Sequence, residues 1–268
     1  MNRALMSLTL GGAIAASVVA IAIAKEPVPP AAPTITGYLG DAGPDTYKIL
    51  PPAPVPGSIR YEADRATFLA TRLAKDGPRW TLAVADANEA AIVKDMSCAI
   101  GMELTPQAAP KLTSVLMKMR FDVRRAVNRP KDIYKRQRPY LIDQGEICVA
   151  KTDSLAASPD YPSGHTTWGW SVGLILAELV PDRSTQILTR ARSFGESRLV
   201  CGVHNMSAVE SGRTNASALV AGLHGSADFR ADMDAARQEI ATLRKTAKPL
   251  DAKACAAEAA LIAKSPYD

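Results

Sequence analysis

The chain has 268 residues, 47% apolar and 22% charged, an ordinary globular balance that excludes disorder, collagen and a coiled-coil rod. Its net charge of +5, from 32 Lys and Arg against 27 Asp and Glu, is too mild and too evenly spread for a nucleic-acid-binding tail. A small anionic molecule is the better-matched partner.

Met1-Asn2-Arg3 sets one positive charge before an uncharged stretch, Ala4 to Ala24, whose end Ala22-Ile23-Ala24 has the small-x-small form of a signal-peptidase site. Residues 1–24 therefore read as a signal peptide removed after Ala24, in preference to an uncleaved anchor. The mature chain is expected to be periplasmic or secreted, with no stable membrane insertion. In an oxidising compartment Cys98, Cys148, Cys201 and Cys255 are expected to form two disulfides, and three pairings are open at this level. No CxxC and no Cys–His cluster supports a structural zinc site.

Residues 25–57 carry prolines at 27, 29, 30, 33, 44, 51, 52, 54 and 56 and are expected to form an extended N-terminal arm. Residues 58–246 read as helices in series. Apolar positions recur at helical spacing over roughly 60–74, 80–97, 165–180, 183–198, 208–224 and 228–245. Thr105-Pro106 looks like a cap with proline at the first helical position, ahead of Leu112, Val115, Leu116, Met119, Val123, Ala126 and Val127. The expected fold is an all-α single-domain helical bundle followed by a polar tail, 247–268, pinned by Cys255.

Three short blocks carry chemistry. In the first, Lys131 to Pro139, a continuous helix would set Lys131 and Arg138 two turns apart on one face, where ammonium and guanidinium grip phosphate oxygens. In the second, Tyr161-Pro162-Ser163-Gly164-His165-Thr166-Thr167, Ser163 is a natural cap and Gly164 lets the backbone approach a ligand at a helix start, where free N–H groups favour anions. His165 can there deliver a proton to a leaving oxygen. The third, Ser197 to His204, adds Arg198 and an imidazole, His204, able to attack phosphorus among cations that neutralise the substrate's oxygens. His224, before Gly225, reads as a helix C-terminal capping residue. Trp168 and Trp170, just after His165, are two apart and so face different sides of their helix.

Lys-x6-Arg-Pro, Pro-Ser-Gly-His and Ser-Arg-x5-His, in this order, resemble the signature of the type 2 phosphatidic acid phosphatase superfamily, which includes vanadium haloperoxidases. Leu50-Pro51-Pro52, Ala85-Asp86-Ala87-Asn88 and Ser197 to His204 make the surroundings similar to the secreted bacterial class A non-specific acid phosphatases, over about residues 49 to 245. The resemblance implies an all-helical fold in which Lys131, Arg138, Arg198, Ser163 and the Gly164 amide bind the phosphoryl group. It further implies that His204 forms a phosphohistidine and His165 protonates the leaving alcohol, with no cofactor or metal required. It also implies a Cys148–Cys201 bridge, leaving Cys98 with Cys255. A small phosphomonoester would be the substrate; a homo-oligomer is compatible with the sequence.

The third block departs from the family most seriously at one position: Asn205-Met206-Ser207 is followed by Ala208, where the family places an Asp that orients the nucleophilic imidazole. Glu210, six residues from His204, is no positional substitute, and Asn205 stands where relatives often have an aromatic residue. The expected activity is therefore a weakened or shifted acid phosphatase. The alternatives are a phosphate-binding, near-inactive relative and a vanadate-dependent haloperoxidase.

Overall fold

The computed structural model describes residues 36–267; the signal peptide expected at 1–24 and the beginning of the Pro-rich arm lie outside the described residues. Every regular element among the described residues is helical, and none of these helices is long and apolar enough to cross a membrane.

Residues 36–57 depart from an extended arm. A 3-10 turn, Gly40–Ala42, precedes the one-turn helix α1 (Thr46–Ile49), and the segment packs on the bundle through buried Leu50 and a hydrogen bond from the Tyr161 hydroxyl to the Pro51 carbonyl at 2.6 Å. Next come α2 (Ile59–Thr71) and α3 (Pro78–Ala85). The single helix expected over 80–97 is broken: Asn88 caps a 3-10 turn by accepting from the Ala90 amide, and two one-turn helices follow, α4 (Ile92–Asp95) and α5 (Ser97–Ile100).

The long α6 (Pro110–Tyr134) starts later than Thr105-Pro106, with Pro110 rather than Pro106 at its first positions. Its apolar stripe, Leu112, Val115, Leu116, Met119, Val123, Ala126 and Val127, is buried as the spacing requires. Pro130 sits inside this helix and cannot donate to the Ala126 carbonyl. That carbonyl instead accepts from the Thr46 hydroxyl at 2.7 Å and the Asn215 amide at 3.1 Å, so the chain supplies from elsewhere what proline withholds.

After the short α7 (Asp153–Ala157) comes α8 (Gly164–Leu179), which runs through the centre of the bundle and is buried on nearly every side. It packs on α6, α9 (Ser184–Val200) and α10 (Met206–Leu223). Small residues allow the close approach: a Cβ on Gly169 would meet the Phe194 ring at 2.3 Å, and one on Gly173 would meet the Ala191 Cβ at 2.4 Å. Helix α11 (Ala227–Thr246) covers α6.

The residues expected as a polar tail instead form α12 (Ala252–Ala263), capped by Asp251, whose carboxylate accepts from the Lys253 and Ala254 amides. Its Ala-rich composition favours helix, and the Cys98–Cys255 disulfide joins it to α5. The second bridge, Cys148–Cys201, ties the loop before α7 to the end of α9, where the Cys148 amide also donates to the Cys201 carbonyl at 2.9 Å.

Candidate active site

Lys131, Arg138, Gly164, His165, Arg198 and His204 line one cleft of about 390 Å³, so all three sequence blocks converge. They arrive by different routes. Helix α6 ends at Tyr134 because Lys135 adopts a left-handed conformation, φ 46°, and the chain from 135 to 138 is not helical. Lys131 and Arg138 therefore do not share a helical face, contrary to the spacing argument; the turn at Lys135 folds Arg138 back toward the cleft. Arg138 is then fixed by donating from Nε to the Ser158 carbonyl and from Nη1 to the Val203 carbonyl, both at 2.8 Å. The Lys131 ammonium donates to the Pro159 carbonyl and lies 3.4 Å from the Ser158 hydroxyl.

Arg198, near the C-terminal end of α9, is buried, and its Nε and Nη1 have no partner among the described residues. Burial lowers the arginine to about 10. Burial and the neighbouring Arg138 likewise lower Lys131 to about 8. Cations crowded in a poorly solvated cleft favour a bound polyanion, which relieves both penalties.

At the start of α8, Ser163 is the N-cap, accepting from the Thr166 amide at 3.2 Å and the Thr166 hydroxyl at 3.0 Å. Its side chain is fully buried and is not part of the cleft lining, whereas Gly164 is. Val127 closes in behind Gly164, only 3.3 Å from where a Cβ would stand. His224 is the C-cap residue of α10, as expected, with Nε2 3.2 Å from Glu178 and no part in the cleft.

The two imidazoles are held differently. His204 lies with Nδ1 2.9 Å from Oδ1 of Asp160, while its Nε2 faces Arg138 Nη1 at 3.2 Å. A guanidinium can only donate, so Nε2 is the unprotonated nitrogen and Nδ1–H donates to Asp160. Burial, reinforced by Arg138, Lys131 and Arg198, holds the His204 pKa well below the usual histidine range. His165 is stacked on Phe194, its Nδ1 3.1 Å from Glu89 Oε1 and its Nε2 buried without a partner among the described residues. Burial and Arg198 lower it to about 4, against the pull of Glu89. Burial acts to raise Glu89, but hydrogen bonds to His165 and Arg120 outweigh it and hold the carboxyl at about 2.

Asp160 was not among the residues the sequence singled out. It is fully buried and accepts from the Asn205 amide at 3.2 Å and the Asn205 side-chain nitrogen at 2.9 Å, with Arg136 Nη1 at 3.5 Å. Burial pushes its carboxyl above the usual range, opposed by Arg136 and by these hydrogen bonds. Arg136 also donates to Asp64 and to the Ser207 hydroxyl, each at 2.7 Å, and Asp64 accepts from the Ser207 amide at 2.8 Å at the start of α10. One buried network thus runs from α2 through Arg136 to the carboxylate behind His204.

Ala208 stands in an apolar cluster with Leu50 and Tyr161, its carbonyl accepting from the Ser163 amide at 2.9 Å. Glu210 is exposed and does not bond His204. Asp160 and Glu89 were missed because they meet their imidazoles across 44 and 76 residues of chain. The available signals were an acid directly before Tyr161-Pro162-Ser163-Gly164-His165 and one directly after Ala85-Asp86-Ala87-Asn88.

Fold and site together define an all-helical protein whose cationic cleft, flanked by two differently oriented imidazoles, suits a tetrahedral oxyanion. The PAP2 superfamily model matches residues 112–229. The chain is 42% identical over 217 residues to an acid phosphatase of Zymomonas mobilis subsp. mobilis, covering 80% of this chain and 82% of that protein. It is 36% identical over 205 residues to a non-specific acid phosphatase of Providencia stuartii, covering 75% and 83%, and 29% identical over 195 residues to one of Salmonella typhimurium, covering 71% and 78%. The chain belongs to the PAP2 superfamily.

Proposed function

We propose that this chain is an acid phosphatase that hydrolyses phosphate monoesters through a phosphohistidine on His204, acting after export to an oxidising compartment. Phosphatase activity accords with its acid phosphatase relatives. The way the two rings are held supports the mechanism.

The phosphoryl oxygens bind Lys131, Arg138, Arg198 and the Gly164 amide, which opens α8 with no intrahelical acceptor. The His204 Nε2 lone pair attacks phosphorus as the bond to the ester oxygen breaks, and His165 Nε2 gives its proton to the departing alkoxide. Water then attacks phosphorus, yielding a proton to His165; the P–N bond breaks, phosphate leaves and neutral His204 returns. The phosphorylated ring is cationic, and the carboxylate that offsets it here is Asp160. A carboxylate at Asp160 supports turnover in spite of Ala208. Two disulfides accord with an exported protein.

The observation that carries this reading is the setting of His204, with Nε2 beside the Arg138 guanidinium and Nδ1 beside the buried Asp160. The test is p-nitrophenyl phosphate hydrolysis with an alkaline quench of enzyme given labelled substrate. Wild type is expected to turn over and to retain alkali-stable, acid-labile label, and His204→Ala to do neither. Full turnover by His204→Ala would overturn the mechanism; phosphate binding without turnover in wild type would favour the near-inactive alternative.

A further inference from the structure

The cleft is larger and more cationic than the phosphoryl group requires. Five cationic side chains line it, Arg120, Arg124, Lys131, Arg138 and Arg198, against one carboxylate, Glu89. The last three cations surround the place of a dianionic phosphoryl group. Arg120 is neutralised by Glu89 and lies 4.8 Å over the Trp168 ring. Arg124 has no carboxylate within ion-pairing distance and no hydrogen-bond partner among the described residues, although it lines the same wall. Trp168 is 5% exposed, and its indole N–H is buried without a partner among the described residues.

These groups are ordered in space. Arg120, Arg124 and Asn128 recur every four residues along α6, so they form one row leading toward Lys131. Seven residues separate Arg124 from Lys131, about 10 Å along the helix axis, a span that the mobile arginine arm can shorten. Trp168 is one turn beyond His165 on α8 and lies beneath Arg120 of that row. The row of polar groups therefore lines the part of the cleft that lies away from Lys131, Arg138 and Arg198, where the rest of an ester held by those cations has room to extend.

We propose that the cleft has a second anion subsite, with Arg124 its charge and Trp168 and Asn128 its flanking donors, and that the preferred substrates are phosphomonoesters whose leaving group carries a second carboxylate or phosphate. This rests on the phosphatase reading above and narrows its substrate class. A neutral alcohol leaves Arg124 unpaired, whereas an anionic one is held by it before and during transfer.

The test compares kcat/KM for 3-phosphoglycerate, fructose 1,6-bisphosphate, glycerol 3-phosphate and phosphocholine in wild type, Arg124→Ser and Arg124→Glu. Arg124 is exposed and has no partner among the described residues, so both variants are expected to fold. Wild type should favour the two anionic substrates over glycerol 3-phosphate at least tenfold, chiefly through KM. Arg124→Ser should cut that preference at least tenfold, and Arg124→Glu should turn it toward phosphocholine. A response confined to the bisphosphate identifies the second anion as phosphate, and a response of both identifies charge alone; either supports the subsite. Wild type without the preference, or a preference that survives both variants, overturns the subsite while leaving the phosphatase intact. Failure to hydrolyse any of the esters strikes the phosphatase reading itself.

Discussion

Asp160 offers the sharpest trial of how this site works. It gathers three donors, His204 Nδ1 at 2.9 Å, the Asn205 side chain at 2.9 Å and the Asn205 amide at 3.2 Å, so truncation to Ala would orphan all of them in the interior. Asp160→Asn keeps an acceptor oxygen and the volume but removes the charge. The loss is a buried charged hydrogen bond to a ring that becomes cationic when phosphorylated, roughly 3–5 kcal/mol. At 1.36 kcal/mol per decade that is about 10²- to 10⁴-fold in kcat, with KM little altered because the phosphate-binding cations are untouched. Ala208→Asp alone sets a second carboxylate into the apolar cluster beside Tyr161, four residues after His204, and is expected to lower activity. The double variant Asp160→Asn/Ala208→Asp should regain at least tenfold over Asp160→Asn, since a carboxylate is again on offer to the Nδ1–H. Steady-state kinetics on p-nitrophenyl phosphate, with circular dichroism to confirm folding, decide it. Unimpaired kcat in Asp160→Asn, or a gain from Ala208→Asp alone, would refute Asp160 as the orienting carboxylate.

Lys131 is lowered to about 8 by burial and Arg138, so its charge burdens the fold. The unfolded chain binds this proton more tightly, which means stability rises with pH between about 8 and 10.5 and the burden is greatest below 8. Lys131→Met should therefore gain about 1–3 kcal/mol at pH 7 while losing activity, a gain that fades above pH 10; urea unfolding at both pH values would expose a wrong sign. Glu89 raises the His165 pKa, so Glu89→Gln should drop it below about 4. The limb of kcat/KM that declines as this acid loses its proton should move to lower pH, and an unmoved limb would remove His165 from the acid role. In Gly212→Ala the new Cβ would meet the Ser163 carbonyl at 2.9 Å and the Thr166 Cβ at 2.8 Å, costing about 1–3 kcal/mol and displacing the start of α8. An unchanged denaturation midpoint with unchanged kcat would show that the contact relaxes freely.

Much of the molecule was legible in the linear chain because the relevant physics is local. The stripe from Leu112 to Val127 needs only a 3.6-residue period to form one face of α6, and Ser163 caps α8 through amides three residues away. Lys131, Arg138, His165, Arg198 and His204 stood out because cations and imidazoles in short fixed blocks are chemically conspicuous. Folding decided what depends on distant partners. Pro130 sits inside α6 with Thr46 and Asn215 reaching the Ala126 carbonyl it leaves unpaired. Lys135 turns left-handed, φ 46°, so Arg138 enters the cleft from a loop and not from a helical face. His204 meets Asp160 and His165 meets Glu89, each across a long stretch of chain. A sequence displays residue types and short spacings, which set propensity and capping; which acid meets which imaginable base is settled when burial removes water and each buried N–H must find the acceptor that the packed chain brings within reach.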